Sequence, residues 1–255
     1  MRTASLQSGS NGNSIYVEVP GLRLLFDAGI PGIRAEERLD ALGIKINRVD
    51  ALLISHDHSD HIKYAGVYQR KYGLPIYITE KTLRRGLSSH PLGRLDPKRT
   101  HYFRAGGTID FGKVSIETIP TPHDGADGSA FVITHGGKRL GILTDLGHVF
   151  EGLPEHLGTL DAVFLESNFD PGMLTRGPYP WFLKKRIQGP HGHISNMEAA
   201  TLLKSRGRRL RWACLAHLSE TNNTPRLALS THLRLNPWLP LHVAGRHAPT
   251  PFFSL

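Results

Sequence analysis

The chain has 255 residues, 39% of them apolar, and carries 31 Lys and Arg against 22 Asp and Glu for a formal net charge of +9. That length suits one large α/β domain over residues 1–255, and the single cysteine, Cys214, excludes an intrachain disulfide and reads as a small core residue. No apolar run is long enough to cross a bilayer and the N-terminus lacks an apolar signal segment. The expectation is therefore a cytoplasmic protein without a membrane partner, whose pI of about 9.8 suits a polyanion.

In chain order, Ser8-Gly9-Ser10-Asn11-Gly12-Asn13-Ser14 reads either as a tight turn or as a backbone cradle for a phosphate, since small residues permit close approach. Ser14–Val19 and Leu22–Phe26 flank Pro20-Gly21 as a hairpin, and Arg34–Leu42 is a short amphipathic helix. The apolar strand Ala51–Ile54 then runs into Ser55-His56-Asp57-His58-Ser59-Asp60-His61, where three imidazoles and two carboxylates fall within six consecutive positions. Nitrogen and oxygen ligands at that density, with no thiol nearby, are what a borderline-hard divalent ion selects. A helix is expected over Ile62–Tyr72 and a strand over Pro75–Thr79, followed from Leu83 to Arg104 by a basic loop bordering the substrate path.

Val114–Ile119, Ser129–Thr134 and Lys138–Thr144 form a meander that turns at Gly136-Gly137. Asn196–Ser205 is a helix capped by Ser195 with Glu198 three residues on, Pro225–Leu233 is another, and Leu241–Ala244 is expected to be the last strand. Basic residues concentrate at Lys184-Lys185-Arg186 and between Lys204 and Arg211. Two runs of strands, each followed by helices, suit a sheet-on-sheet sandwich covered by helices.

Apolar strand-like runs repeatedly end on a chemically competent side chain: His123 after Pro120-Thr121-Pro122, Asp145 after Gly141–Thr144, Glu166 after Ala162–Leu165, and His217 after Trp212–Ala216. Strand ends on one sheet edge can assemble a composite site from distant parts of a chain. The inventory sorts into two ions, with His56, His58 and His123 on one, Asp60, His61 and His217 on the other, and Asp145 bridging. Two such ions would share a water whose pKa falls toward about 7, providing a hydroxide nucleophile. Asp27 is read as structural, accepting hydrogen bonds from the histidine loop. The remaining histidines, among them His90, His148, His232 and His247, are read as surface or packing residues.

These motifs resemble the metallo-β-lactamase fold superfamily, through Leu25-Phe26-Asp27-Ala28-Gly29, the His56–His61 cluster, His123, Asp145 and His217. Within it the chain is similar to the bacterial YycJ/WalJ proteins, on Ser8–Ser14, Leu143–Gly147, Leu165-Glu166-Ser167-Asn168, Gly192–Asn196 and Leu215–Asn223. The resemblance implies an α/β fold, an αββα sandwich, and a metal-dependent nuclease whose substrate is expected to be DNA rather than RNA, as an exonuclease from 5′ ends. The residues alone argue for metal-assisted hydrolysis, with zinc or manganese as candidate ions. Asp60, Glu166 and His193 are the candidate catalytic residues. A sugar oxygen leaving a phosphodiester needs a proton; His193 can supply it, oriented by Glu166, much as a glutamate and a histidine act in the related tRNase Z enzymes. The alternative is a thioester or lactone hydrolase of the glyoxalase II type, which needs neither a separate acid nor a basic surface; a third reading keeps the site for stability alone.

Overall fold

Two seven-stranded sheets face each other across a core of aliphatic and aromatic side chains in the computed structural model, which describes residues 1–255. The first sheet takes β1 (Arg2–Gln7), β2 (Ser14–Val19), β3 (Leu22–Phe26), β4 (Ala51–Leu53), β5 (Ile76–Ile78) and β6 (Thr100–Tyr102). The second takes β7 (Thr108–Phe111), β8 (Val114–Pro120), β9 (Ser129–His135), β10 (Lys138–Leu143), β11 (Ala162–Glu166), β12 (Trp212–Ala216) and β13 (Leu241–Val243), while β14 (Phe253–Ser254) returns to the first. Their spatial orders are β14-β1-β2-β3-β4-β5-β6 and β13-β12-β11-β10-β9-β8-β7. Helices α1 (Gly32–Ala41), α2 (Ser59–Ile62), α3 (Ala65–Tyr72) and α4 (Glu80–Ser89) belong to the first half of the chain. The second half holds α5 (Leu153–Gly158), α6 (Pro171–Arg176), α7 (Trp181–Gln188), α8 (Asn196–Arg206) and α9 (Pro225–Leu235). No helix is long and apolar enough to cross a membrane.

Alternation along each strand builds three apolar layers. Leu24 and Phe26 of β3 point into the space between the sheets, where Phe26 meets Phe131 of β9 with ring centroids 5.1 Å apart, while Leu25 packs outward with Leu39 of α1 and Tyr68 of α3. In β11, Ala162 and Phe164 face the other sheet, and Val163 and Leu165 lie under α5 and α8 with Leu157 and Leu203. Strands apolar on both faces are those the sequence presents as unbroken apolar runs. Each fully buried Leu or Phe is worth about 1.5–3 kcal/mol of transfer free energy, so the sandwich holds the sheet edges rigidly.

Parallel pairing sets where the strands end. β3 and β4 run parallel, delivering Asp27 and the His56–His61 loop to one edge. β10, β11 and β12 are also parallel, with Leu143, Leu165 and Leu215 in register, so Asp145, Glu166 and His217 emerge together.

The segment expected as a loop from Leu83 to Arg104 instead contains most of α4 and the edge strand β6. Thr79 caps α4 by accepting from the Thr82 amide, and Gly86, which reads as a breaker, sits where a Cβ would fall 2.7 Å from Ile62. The helix expected over Ile62–Tyr72 is split between α2 and α3, because the Tyr64 amide turns to the Ala28 carbonyl at 3.0 Å. β1 went unread because its inward residues include Thr3 and Ser5, both fully buried; Thr3 Oγ1 donates to the Tyr16 carbonyl at 2.6 Å. The last strand is β14 rather than Leu241–Ala244, its register with β1 pairing Arg2 with Ser254. The capping box at Ser195 and Glu198 is present as expected.

Candidate functional site

Three residues at this edge take left-handed backbone angles: Asp27 (φ 66°), Asp145 (φ 56°) and His217 (φ 56°). For a side chain other than glycine that conformation costs about 1–3 kcal/mol, and each of the three lies one or two residues past the end of its strand, at β3, β10 and β12. Gly29 makes the entry possible from the other direction, since a Cβ there would lie 1.7 Å from the Asp60 carbonyl oxygen.

The histidine loop is anchored by Asp27, as expected from the sequence. One carboxylate oxygen accepts from the Ser55 amide at 2.8 Å, and the other accepts from Ser55 Oγ at 2.9 Å and from His61 Nδ1 at 2.7 Å. Four rings have one nitrogen committed to such a partner and the other turned toward the site. His56 Nδ1 meets Ser55 Oγ at 2.9 Å, His58 Nε2 meets Asp124 Oδ1 at 3.1 Å, His61 Nδ1 meets Asp27, and His123 Nδ1 meets the Gly192 carbonyl at 2.7 Å. Partners of this kind fix the tautomer and aim of metal-ligating imidazoles.

The inward atoms fall into sets. His56, His58 and His123 form one, with His58 Nδ1 and His123 Nε2 3.2 Å apart. Asp60, His61 and His217 form another, with Asp60 Oδ2 at 3.5 Å from His61 Nε2 and 3.3 Å from His217 Nε2. Asp145 reaches both, Oδ1 lying 3.7 Å from His123 Nε2 and Oδ2 3.3 Å from His61 Nε2. Two ligands each about 2.0–2.1 Å from one tetrahedral ion stand roughly 3.3 Å apart, so these spacings fit ligands around ions. His56 Nε2 and Asp145 Oδ2 are buried with no hydrogen-bond partner. Two orphaned polar atoms would ordinarily cost about 1–3 kcal/mol each, and a cation held here would satisfy both.

The charges agree. Burial, reinforced by the neighbouring rings of His61, His58 and His123, pushes the His56 imidazole well below its ordinary value, keeping it neutral and available as a donor. Burial works to raise the Asp145 carboxyl, but His217, His61 and His123 outweigh it and hold the group ionised. In His217, burial is overcome by Asp145, Asp60 and Glu166, which raise the imidazole to about 10. So much negative charge around a buried ring is a demand for positive charge, which a divalent ion meets by displacing the proton.

Glu166 and His193 stand together beside this cluster. Glu166 is fully buried, and its Oε1 lies 2.6 Å from His193 Nδ1 while Oε2 accepts from the Leu146 amide at 3.0 Å. Burial opposes its ionisation, but the adjacent His193 and His217 lower the carboxyl far below its usual range. With Nδ1 engaged, His193 keeps Nε2 for the cleft of about 210 Å3 that it lines with His58, Asp60 and Asp145.

Several bracing residues escaped the sequence reading. Buried Asn13 places Nδ2 3.3 Å from Asp60 Oδ2 and accepts from the Gly9 amide at 2.8 Å, so the Ser8–Ser14 segment is a tight turn that also braces a candidate ligand. Ser8 Oγ accepts from the His217 amide at 2.8 Å, and Asn168 Nδ2 donates to the His217 carbonyl at 2.8 Å. Asp57, inside the histidine run, accepts from the Ala126 amide at 2.6 Å and ties down the loop after His123. Of the histidines set aside, His232 is fully buried against Ser167 Oγ at 3.1 Å, and His90 hydrogen-bonds the Asp57 carbonyl at 2.8 Å, packing behind the loop.

Residues 22–217 match the family model of the beta-lactamase superfamily domain. The chain is 37% identical over 227 residues to the exodeoxyribonuclease WalJ of Streptococcus pneumoniae serotype 2, covering 89% of this chain and 84% of that protein. It is 36% identical to the exodeoxyribonuclease YycJ of Bacillus anthracis over 224 residues, 88% of this chain and 84% of the relative. Among solved structures, the metallo-beta-lactamase fold protein YhfI of Bacillus subtilis superposes with a TM-score of 0.75 at 17% identity, over 98% of both chains.

Proposed function

The chain belongs to the beta-lactamase superfamily domain family, with the metallo-β-lactamase fold, and on that premise we propose that it is a metal-dependent exodeoxyribonuclease working from 5′ ends of DNA with two divalent ions. The observation that carries the nuclease reading over other hydrolases is the His193–Glu166 pair at 2.6 Å on the cleft wall. A thiolate leaves a thioester without help, whereas a sugar alkoxide leaving a phosphodiester needs a proton.

His56, His58 and His123 would hold one ion, Asp60, His61 and His217 the other, with Asp145 between them. When bound, the ions supply a water activated near neutral pH and neutralise charge building on the phosphate. Glu166 holds the His193 ring by Nδ1, so that Nε2 delivers its proton to the departing oxygen. Asn13 and Asp27 keep Asp60 and His61 aimed while charge moves through the site. Tyr179, Leu183 and Ile187 line one side of the cleft with the candidate ligands His58, Asp60, Asp145 and His217.

The test is turnover of 5′-labelled and 3′-labelled DNA by the metal-reconstituted protein, beside a glutathione thioester. Early release of short 5′-labelled products with the thioester untouched is expected. Rapid thioester hydrolysis with intact DNA would transfer the site to the glyoxalase II type of chemistry.

A further inference from the structure

The two most exposed large apolar side chains of the molecule are consecutive, Trp181 at 73% and Phe182 at 69%. They sit at the start of α7, the helix that walls the catalytic cleft. A helix turns about 100° per residue, so Leu183, Arg186 and Ile187 share the face lining the cleft, together with Tyr179 just before it. Trp181, Lys184, Lys185 and Gln188 lie on the opposite face, around a surface depression of about 600 Å3. By the same 100° step Phe182 falls on the flank between the two.

We propose that α7 is a stacking platform for the single strand of DNA that leads into the cleft, with unpaired bases resting on Phe182 and Trp181 and phosphates meeting Lys184 and Lys185. The proposal rests on the nuclease reading and specifies where its substrate lies. Charge complementarity selects the occupant. Of the three consecutive cations, only Arg186 is committed to a carboxylate, Asp124 at 2.6 Å. Lys184 donates to the Thr175 carbonyl at 2.8 Å and Lys185 lies 5.0 Å from the Trp181 ring centroid, so both retain their charge for an anion. A basic surface interleaved with aromatic faces is how sequence-tolerant proteins hold single strands, because every base has a face to stack while every linkage has a charge.

The platform is also held in place. Arg186 ties α7 to Asp124, whose other oxygen meets His58, and Tyr179 Oη lies 3.2 Å from Thr221 Oγ1. Inside a duplex both faces of every base are already stacked, so successive bases can rest on these rings only when they are unpaired.

Binding of a single-stranded phosphorothioate oligothymidylate to the metal-loaded protein tests this. The Trp181→Ala/Phe182→Ala double variant should keep its metal content yet raise Kd about 10–100-fold, corresponding to one or two lost stacking contacts. Trp181→Phe/Phe182→Tyr should restore binding to near the wild-type value. An abasic strand of equal length, with phosphates and no bases, should bind wild type and double variant alike. Lys184→Ala and Lys185→Ala should each flatten the dependence of log Kd on log salt by roughly 0.7. If the wild type cleaves DNA but the double variant binds the oligothymidylate normally, the platform fails and the nuclease reading stands; if the wild type neither binds nor cleaves DNA, both fail. A double variant that binds DNA normally but no longer self-associates or adheres to anionic vesicles would assign the face to a second copy or to lipid instead.

Discussion

The two halves of the molecule supply the site in different ways. The first sheet delivers His56, His58, Asp60 and His61 from one contiguous segment running into α2, held by hydrogen bonds that Asp27 accepts and Asn13 donates. The second delivers His123, Asp145, Glu166 and His217 singly, each from the end of a different strand, with Asp145 and His217 in strained left-handed conformations. A contiguous cluster can be aimed by a few local bonds. Residues scattered from His123 to His217 are brought together by sheet register and then held one at a time, as by the Gly192 carbonyl on His123 and by Ser8 and Asn168 on His217, and the cost of their backbone angles is met by the buried sandwich beneath them. The first half should therefore be sensitive at its bracing side chains, the second at the functional residues themselves.

Asp145, where the two sets meet, should give the largest effect. Asp145→Ala is expected to lose both ions and reduce DNA turnover to background, whereas His148→Ala, three residues on and at the periphery, should retain full metal content. Elemental analysis of the purified variants distinguishes them.

His193→Ala comes next. It should keep both ions and lose about 10²–10⁴-fold in DNA turnover, the usual range for a general acid. A p-nitrophenyl phosphodiester, whose leaving group needs little protonation, should suffer far less, and Glu166→Gln should follow the same pattern more weakly. Equal losses on both substrates would make His193 a structural residue.

The first half is expected to respond more mildly. Asp27→Ala frees His61 Nδ1 and Ser55, and metal affinity should fall by about 10–100-fold, as is usual for removing the partner of a ligating histidine. A competitive chelator titration reads this; affinity unchanged within twofold would show that strand pairing alone positions the loop.

The smallest effect on the site itself is expected from a residue outside the cluster. Burial pushes His232 down to about 4. Above about pH 6.5 its ring is neutral in both folded and unfolded chains; as pH falls from there toward 4, the unfolded chain takes up a proton that the folded one refuses. Stability should drop by up to about 3 kcal/mol across that window. His232→Gln should flatten this part of the urea-midpoint profile without altering metal content, and an unchanged slope would show that the ring is protonated in place.

The same contrast governs what the sequence made legible. The His56–His61 run is visible because its members are neighbours in the chain, and His123, Asp145, Glu166 and His217 are visible because each closes an apolar run. The residues that orient them are not, since Asn13, Asp124 and Asn168 acquire their partners only when the fold brings together segments distant in the chain. The sandwich followed from alternating runs, but β1 was hidden by buried Thr3 and Ser5, and α4 by Gly86, whose missing Cβ serves packing rather than a turn. Helix α7 offered only its charge to the reader of the sequence; that its aromatic residues are exposed beside the cleft is a fact of the fold.

Metal content per chain after reconstitution tests most directly whether both halves build one dinuclear centre. Two ions are expected in the wild type and one in Asp60→Ala, which depletes the set made with His61 and His217 while leaving His56, His58 and His123 intact. A wild-type protein that saturates at a single ion, with Asp60→Ala holding the same amount, would contradict it.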